Sequence, residues 1–525
     1  MRVGEAAARL IADYGVETVF GIPGVHNVEL FRGLEERGTR LILPRHEQGA
    51  GFMADGYARA SGRPAACFVI TGPGLTNILT PMGQAESDSV PMLVVASALS
   101  RSDRGQARGR LHEAIDQLGA ARSVVRHANW APNAFAVAEQ IHAAFAAFAA
   151  GRPRPAYLEI PLDLLREDAP EEDWAPRPVP AAPTAAPEVL TRAGVRLAGA
   201  RRPLVIAGGG AVDAGVPLLA LVDRLGAALI TTVAAKGVVA ESHPLNLGAR
   251  LSDPAVQDFV ARADGVLAVG TELAETDIWR RRPLDFGGPV IRIDIDPAKL
   301  TDGHGAEIAI LSDAAPALAG LAATPGEPDP AYRAEIAALK DSGDGGETPL
   351  RARHRAVLAA LRRALPADAV IATDMTQIAY AGNEIFPVER PRCWLHPVGY
   401  GTLGYAAPAA IGAKLACPRR AVVALSGDYG LHYTLAELGV AAEQALPIPF
   451  VVWNNRALGQ IRGDMVAKQM APIGTSLQGP DFELVARGFG LAHARARSPA
   501  EVEATMGRAL AATGPTLIEL DEDDF

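Results

Sequence analysis

The chain has 525 residues, of which 49% are hydrophobic and 21% are charged, and its formal net charge is −10. At about 100–200 residues per domain, this length predicts about three domains. The charge is mild for the size and no block of Lys or Arg occurs, so nothing indicates a nucleic-acid partner. The apolar content excludes a largely disordered chain.

Cysteine usage and the N-terminus bear on the cellular location. Cys67, Cys393 and Cys417 lie far apart and lack the spacing of metal ligands, which argues against a disulfide framework or a zinc site. The N-terminus has the pattern of an amphipathic helix leading into a strand, without the apolar core of a signal peptide. No apolar run reaches transmembrane length. We therefore expect a cytoplasmic protein without a membrane partner.

Two stretches rich in Pro, Gly and polar residues divide the chain, one between residues 166 and 190 and one between about 323 and 349. We predict an N-terminal domain over 1–168, a central domain over 188–324 and a C-terminal domain over 350–525. In each domain, apolar runs such as PAACFVITG, PLVIAGGG and RAVVALSGD alternate with Ala-rich helical patterns. This alternation predicts an α/β fold of three doubly wound parallel sheets.

In such sheets, ligands bind beyond the carboxyl ends of the strands. Asp428 follows the predicted strand that ends in SGDYG, and Asn455 closes the next predicted strand, 27 positions later (455 − 428). One carboxylate, one amide and one main-chain carbonyl are the oxygen ligands that Mg²⁺ prefers. The GD dipeptide alone is equally typical of an ordinary turn. The two strand ends together predict a metal site.

GDYG followed by NN resembles the cofactor signature of thiamine diphosphate enzymes, and the whole chain resembles the acetolactate synthase and 2-oxo acid decarboxylase superfamily. The resemblance implies pyrimidine-binding, central and diphosphate-binding domains. It implies that Mg²⁺ is held by Asp428, the side chain of Asn455 and the carbonyl of Ala457. The N–H groups of Tyr429 and Gly430 would face the diphosphate. Tyr429 departs from the Gly or Ala that is usual in the family.

The segment RHEQGAGFMADGYARASG resembles the activating helix of the same superfamily, and Glu47 is its carboxylate. By this resemblance Glu47 would bond the pyrimidine N1′ of the cofactor in a dry pocket. This bond favours the imino tautomer, whose 4′-nitrogen removes the C2 proton and forms the nucleophilic ylid. The alternative is a Glu on an exposed helix face, paired with Arg45 or Arg59.

Further cofactor contacts follow from the resemblance. Thr376 and Gln377 lie at a strand end where a helix start offers N–H groups to the diphosphate, although an ordinary N-cap is the alternative. In GYGTLGY, Leu403 would be the apolar wedge under the cofactor and the Gly401 carbonyl would bond the aminopyrimidine. A buried Leu in a tight turn is the alternative for Leu403.

The predicted activating Glu and the predicted metal site belong to different domains. In the superfamily they meet across a subunit interface, so the resemblance implies a homodimer or a homotetramer with its active site between subunits.

Departures from acetolactate synthase point to the reaction. His26 and His112 stand where that enzyme has other residues, and two imidazoles would suit proton delivery after CO₂ leaves. Each could instead be a core or loop histidine. Gln460 and Asp464 are candidates for substrate contacts, because an acidic group could pair with a guanidinium. A solvated loop is the alternative for Asp464.

The strings FGIPGVHNVELFRGL, DMTQIAYAGN and VVWNNRALGQIR most resemble the 5-guanidino-2-oxopentanoate decarboxylase branch. The predicted reaction converts a 2-oxo acid to an aldehyde and CO₂. A carboligase that joins two 2-oxo acids is the alternative. We expect no FAD, because the run Gly208–Gly210 lacks the full dinucleotide spacing. Retention of Glu47, Asp428 and Asn455 argues against a non-catalytic homologue.

Overall fold

The structure is a computed structural model that describes residues 1–170, 174–280, 282–321, 325–342 and 348–525. It contains three sheets, and every pair of neighbouring strands in them is parallel. The predicted α/β class with three parallel-sheet domains is therefore confirmed. The domain limits stay predictions, and the predicted end of the central domain at residue 324 lies outside the described residues.

The first sheet consists of β1 (Thr18–Gly21), β2 (Arg40–Ile42), β3 (Ala65–Val69), β4 (Met92–Ala98), β5 (His127–Trp130) and β6 (Ala156–Pro161). Its order is β2-β1-β3-β4-β6-β5. The helices are α1 (Val3–Asp13), α2 (Val28–Phe31), α3 (Glu47–Ser61), α4 (Pro73–Asp88), α5 (Gln117–Arg122), α6 (Ala134–Ala150) and α7 (Leu162–Leu165). Every residue of β3 and β4 is buried. This explains why these strands are continuous apolar runs without alternation.

The central sheet consists of β7 (Pro203–Ala207), β8 (Ala228–Thr231), β9 (Gly265–Val269), β10 (Val290–Asp294) and β11 (Ile308–Leu311). Its order is β11-β10-β9-β7-β8. The helices are α8 (Pro187–Ala198), α9 (Gly215–Leu225), α10 (Pro254–Val260), α11 (Glu275–Ile278) and α12 (Ala314–Gly320), and α13 (Tyr332–Asp341) follows the sheet. This domain has a hydrophobic core of its own.

The third sheet consists of β12 (Val370–Thr373), β13 (Trp394–Leu395), β14 (Val422–Gly427), β15 (Pro449–Asn454), β16 (Ala492–Arg495) and β17 (Thr516–Asp521). Its order is β13-β12-β14-β15-β17-β16. The helices are α14 (Pro349–Ala364), α15 (Gln377–Ile385), α16 (Ala406–Ala416), α17 (Asp428–His432), α18 (Leu438–Glu443), α19 (Gly459–Ala467), α20 (Phe482–Phe489) and α21 (Pro499–Leu510). Gly427 pairs with Trp453, so β14 and β15 end at the same edge.

The first and third domains share one hydrophobic core, which is centred on the packing of α3 against α16. Glycines allow this close approach. A methyl group at Gly412 would overlap the carbonyl oxygen of Met53, and one at Gly56 would overlap the main chain at Ala409. Because both helices present glycine to the other, any side chain at these positions would push the two domains apart.

In the part of the chain that the structure describes, none of the helices combines the length and the apolar character needed to span a lipid bilayer.

We predict that Gly412→Ala lowers the free energy of unfolding by about 1–3 kcal/mol, because the added methyl group overpacks the contact with α3. The matched control is Gly507→Ala in α21, where no atom lies within 4 Å of the added methyl group. The control should be stabilising by about 0.5–1 kcal/mol, since it removes a helical glycine. The measurement is the midpoint of urea unfolding. Equal behaviour of the two variants would contradict the packing argument.

Candidate active site

Glu47 is the first residue of α3, and only 8% of its surface is exposed. One carboxylate oxygen accepts a hydrogen bond of 2.9 Å from the side-chain amide of Asn77, near the start of α4. Arg45 and Arg59, which were possible partners, pair with other carboxylates. The structure thus contradicts the alternative of an exposed, Arg-paired Glu47. It does show the buried carboxylate that the activating role requires.

The two candidate histidines lie together although 86 positions separate them (112 − 26). Their rings are perpendicular, with centroids 5.1 Å apart. His26 Nδ1 lies 3.2 Å from the hydroxyl oxygen of Thr71, and the carbonyl of His112 packs against Gly72, whose φ is +68°. Burial, followed by the charge of His112, lowers the pKa of His26. The His26 imidazole and the main chain of His112 therefore both lie against the loop that opens α4, and the two rings contact each other.

A buried network of hydrogen bonds holds this loop in place. The Thr71 hydroxyl lies 2.9 Å from that of Ser97, and the Gln117 side chain accepts the N–H of the residue after Thr71. Gln117 donates to the Tyr157 hydroxyl, and Tyr157 donates to the carboxylate of Glu159. Sequence reasoning missed this network. Its only signal was polar side chains near the ends of otherwise apolar strands.

Asp428 and Asn455 follow the neighbouring strands β14 and β15. The Asp428 side chain is 1% exposed, and its Oδ2 has no hydrogen-bond partner among the described residues. Burial raises the pKa of Asp428 to about 6, although nearby main-chain N–H groups oppose this. The Asn455 side-chain oxygen accepts the N–H of Ala457 at 3.1 Å. An unpartnered, buried carboxylate oxygen is what a bound cation would satisfy, so these residues fit a metal.

The candidate metal site would take few ligands from protein side chains. Among the described residues, no three His, Cys, Asp or Glu side chains are grouped as a metal site. Asp428 is the first residue of α17, and Tyr429 and Gly430 lie in its first turn. The N–H groups of a first turn lack partners within the helix, so this turn can face an anion. A cofactor carrying phosphate groups would complete such a site.

A second buried carboxylate, Asp374, organises the neighbouring strand end. It follows β12, is fully buried, and accepts hydrogen bonds from the N–H groups of Gly404 and Met375 and from the hydroxyl of Ser426. Burial raises the pKa of Asp374 to about 6. Sequence reasoning singled out Thr376 and Gln377 at this strand end but not Asp374. Its position directly after a buried strand was the available signal.

Asp374 fixes the loop that carries Gly401 and Leu403. Gly401 and Gly404 have φ values of +65° and +83°, which only glycine adopts readily. Leu403 between them is half-buried, so it is accessible to a ligand. Thr376 is the N-cap residue of α15 but makes no capping hydrogen bond with its side chain. This differs from the ordinary N-cap that was the alternative for Thr376.

Gln460 and Asp464 lie on α19, none of whose residues is buried. Both side chains are exposed, and the Gln460 amide donates a hydrogen bond of 3.0 Å to Asp464. The Gln377 side chain, 3.5 Å from that of Asn455, connects the start of α15 with the metal candidates. In the single chain Asp464 is thus solvated, and its role toward a substrate stays a prediction.

A cavity of about 610 Å³ lies apart from these residues, at the carboxyl ends of the central strands. Its rim includes Glu272, which forms ion pairs with Arg152, Arg154 and Lys299. The N–H groups of Gly208 and Gly210 donate to carbonyls at the end of β9. The glycine run therefore allows the ends of two strands to lie close together. The expected absence of FAD stays a prediction.

The candidate residues form two groups. The first contains Glu47, His26 and His112 on the N-terminal domain, and the second contains Asp428, Asn455, Ala457, Tyr429, Gly430, Thr376, Gln377, Gly401 and Leu403 on the C-terminal domain. Among the described residues no hydrogen bond joins Glu47 to the second group. We refer to these two groups as the two candidate half-sites of the chain.

The fold and the strand-end geometry are those of a three-domain α/β enzyme. Three family models match the chain: thiamine pyrophosphate enzyme, N-terminal TPP binding domain (residues 1–120), central domain (190–321) and C-terminal TPP binding domain (374–520).

Curated proteins match over most or all of the chain. The probable 2-ketoarginine decarboxylase of Pseudomonas aeruginosa is 47% identical and covers 99% of this chain and 94% of that protein. The acetolactate synthase isozyme 1 large subunit of Escherichia coli K12 is 29% identical and covers 99% of this chain and 93% of that protein. The acetolactate synthase large subunit of Mycobacterium tuberculosis is 30% identical and covers 87% of this chain and 76% of that protein. The chain belongs to the thiamine pyrophosphate enzyme family, which confirms the predicted resemblance.

We predict that Asp374→Ala lowers the free energy of unfolding by about 3 kcal/mol or more, because it leaves several buried donors without an acceptor. Ser426→Ala is the control. It removes one donor and should cost about 1 kcal/mol. Urea unfolding of both variants gives the comparison, and a small effect of Asp374→Ala would show that water replaces the carboxylate.

Proposed function

We propose that this protein is a thiamine diphosphate-dependent decarboxylase of 5-guanidino-2-oxopentanoate, which is 2-ketoarginine. The observation that carries the proposal is the contact of the His26 and His112 rings beside the loop between β3 and the helix whose Asn77 bonds Glu47. Imidazoles at that place suit the protonation that a decarboxylase needs. The 47% identity to a probable 2-ketoarginine decarboxylase supports the substrate.

Mg²⁺ is the metal that we propose for Asp428, Asn455 and the carbonyl of Ala457. The orphaned oxygen of Asp428 and the all-oxygen ligand set support it. The N–H groups of Tyr429 and Gly430, with Thr376 and Gln377, would hold the diphosphate. When bound, the cofactor supplies a nucleophilic carbon and an electron sink for the decarboxylation.

The remaining chemistry belongs to the side chains of this protein. Glu47, held by Asn77 in a buried position, would hold the aminopyrimidine N1′. Leu403 and the Gly401 carbonyl would fix the shape of the cofactor. His26, whose pKa is lowered by burial, would relay a proton to the carbon that loses CO₂. His112 would orient it, and Asp464 and Gln460 would meet the guanidinium at the entrance.

The two half-sites support an active site between subunits, in a homodimer or a homotetramer. In this arrangement Glu47 of one subunit meets the metal-binding strand ends of another. The three cysteines are free, which agrees with the reducing cytoplasm that we propose as the location.

A carboligase is the second candidate. Acetolactate synthases that are 29–30% identical over most of the chain favour it. Such an enzyme would have the same half-sites and would direct the bound intermediate to a second 2-oxo acid.

The deciding experiment supplies thiamine diphosphate and Mg²⁺ with either 5-guanidino-2-oxopentanoate or pyruvate, and measures CO₂ and the organic product. We expect CO₂ and 4-guanidinobutanal from the guanidino acid, and little turnover of pyruvate. We expect Asp464→Asn to raise KM for the guanidino acid more than for an uncharged 2-oxo acid of equal length. Acetolactate from pyruvate would instead establish the carboligase.

Asp428→Asn should stabilise the metal-free protein but should prevent the stabilisation that Mg²⁺ and thiamine diphosphate give. Without metal, burial raises the pKa of the wild-type Asp428 carboxylate from 3.8 to about 6. The free energy of unfolding of the wild-type protein therefore falls as pH rises through this range. At pH 8 the neutral amide avoids this cost, and the metal-free variant should be more stable by on the order of 1–3 kcal/mol.

Adding Mg²⁺ and thiamine diphosphate should raise the melting temperature of the wild type but not that of Asp428→Asn. Asp481→Asn, at the exposed N-cap of α20, is the control and should change neither value. Thermal unfolding with and without ligands gives both results. A variant that is still stabilised by Mg²⁺ with cofactor would remove Asp428 from the proposed ligand set.

A further inference from the structure

Glu437 of the C-terminal domain contacts the main chain of the N-terminal domain just before Glu47. It ends a 3₁₀ turn (Leu435–Glu437), nine positions after Asp428 (437 − 428), and is 1% exposed. Both of its carboxylate oxygens lie 3.1 Å from the N–H nitrogen of Arg45, and one of them also accepts the N–H of His46 at 3.0 Å. The contact joins residues almost 400 positions apart through main-chain groups.

These N–H groups belong to the start of α3. His46 is the N-cap residue and Glu47 is the first helical residue, so the carboxylate of Glu437 lies at the N-terminus of the helix that carries the activating Glu. A negative charge at this end is favoured by the helix dipole. Because it bonds the N–H groups on both sides of the Arg45 α-carbon, Glu437 fixes the direction in which the chain enters the helix.

Gly49 shows how closely the carboxylate is packed against the helix. A methyl group at Gly49 would overlap the Glu437 carboxylate, and the three atoms nearest to that methyl group all belong to the Glu437 side chain. The first turn of α3 therefore has room for Glu437 only while residue 49 has no side chain.

Two charged groups face Glu437 from the first domain, Arg45 and Glu47. Burial raises the pKa of Glu437 to about 7, the charge of Glu47 adds to this, and the two N–H groups and Arg45 oppose it. A buried acid beside another acid is costly for stability alone. Stability alone therefore does not explain an acid at this position, and the place of Glu437 at the start of α3 indicates a role in function.

We propose that Glu437 is a positioning residue that orients Glu47 toward the aminopyrimidine of the cofactor. The inference rests on the proposed function, because it assigns Glu47 the activating role. The segment that begins with the metal candidate Asp428 thus also fixes the activating helix of the same chain. The half-site for the metal and the half-site for activation are coupled within one subunit.

The test compares Glu437→Gln with Glu443→Gln in the full-length protein. Glu443 also contacts Arg45, but it pairs with the side chain at the surface, where 48% of Glu443 is exposed. The readouts are the deuterium exchange rate at C2 of bound thiamine diphosphate, followed by quenched-flow NMR, and the Kd of the cofactor from calorimetric titration. Neither readout needs a substrate.

We expect Glu437→Gln to slow C2 exchange by about 10- to 100-fold, the size of effect that a small misplacement produces. The amide keeps one acceptor oxygen but directs its NH₂ group at a main-chain donor, so the helix start shifts while the protein stays folded. The Kd should change far less than the exchange rate. Glu443→Gln should change neither. Exchange in Glu437→Gln at the wild-type rate would overturn the proposal.

A double-mutant cycle gives a second test. Gly49→Ala should slow exchange in the wild-type background, because the methyl group displaces the Glu437 carboxylate. In the Glu437→Ala background the methyl group has room, so the same change should have little further effect. Multiplicative effects of the two changes would also overturn the proposal.

The outcomes separate this inference from the proposed function. Rapid C2 exchange in the wild type without decarboxylation of any 2-oxo acid would reject the function and leave the role of Glu437 testable. Decarboxylation with exchange that does not depend on Glu437 would reject the inference alone.

Discussion

The architecture of this protein depends on the close packing of α3 against α16. Glycine at positions 56 and 412 lets the main chains of two domains approach each other, and one shared hydrophobic core covers the contact. Both helices begin near candidate site residues, since α3 starts at Glu47 and α16 follows the loop of Gly401 and Leu403. A rigid helix pair therefore sets the spacing of Glu47 and this loop within each chain.

Three buried carboxylates of the C-terminal domain have different surroundings. Asp374 is surrounded by donors and organises strand ends, and Glu437 accepts main-chain N–H groups of another domain. Asp428 differs because one of its oxygens lacks a donor in the described structure. A buried acid whose oxygens accept hydrogen bonds stabilises the structure, whereas an unpaired buried oxygen leaves room for a partner such as an ion or a water molecule. The hydrogen-bond environment distinguishes these carboxylates although their pKa shifts all have the same direction.

Much of the fold could be predicted from the sequence, because apolar runs such as those of β3 and β14 are buried on both faces and leave a continuous signal. The positions of Asp428 and Asn455 followed from strand ends and family resemblance. The contact of Glu437 with Arg45 could not be predicted, since it joins a side chain to main-chain groups 392 positions away. The buried network of Ser97, Gln117 and Tyr157 was missed for the same reason, because short-range patterns carry no information on tertiary hydrogen bonds.

The unpartnered oxygen of Asp428 also has a consequence for protein turnover. A folded chain that carries this desolvated charge opens more often than the loaded chain, because ligand binding adds its free energy to the folded state only. Proteases cleave opened chains, so the proposed binding of magnesium and thiamine diphosphate would lengthen the lifetime of the folded protein. The carboxylate proposed to bind the metal would thereby couple resistance to proteolysis to cofactor binding.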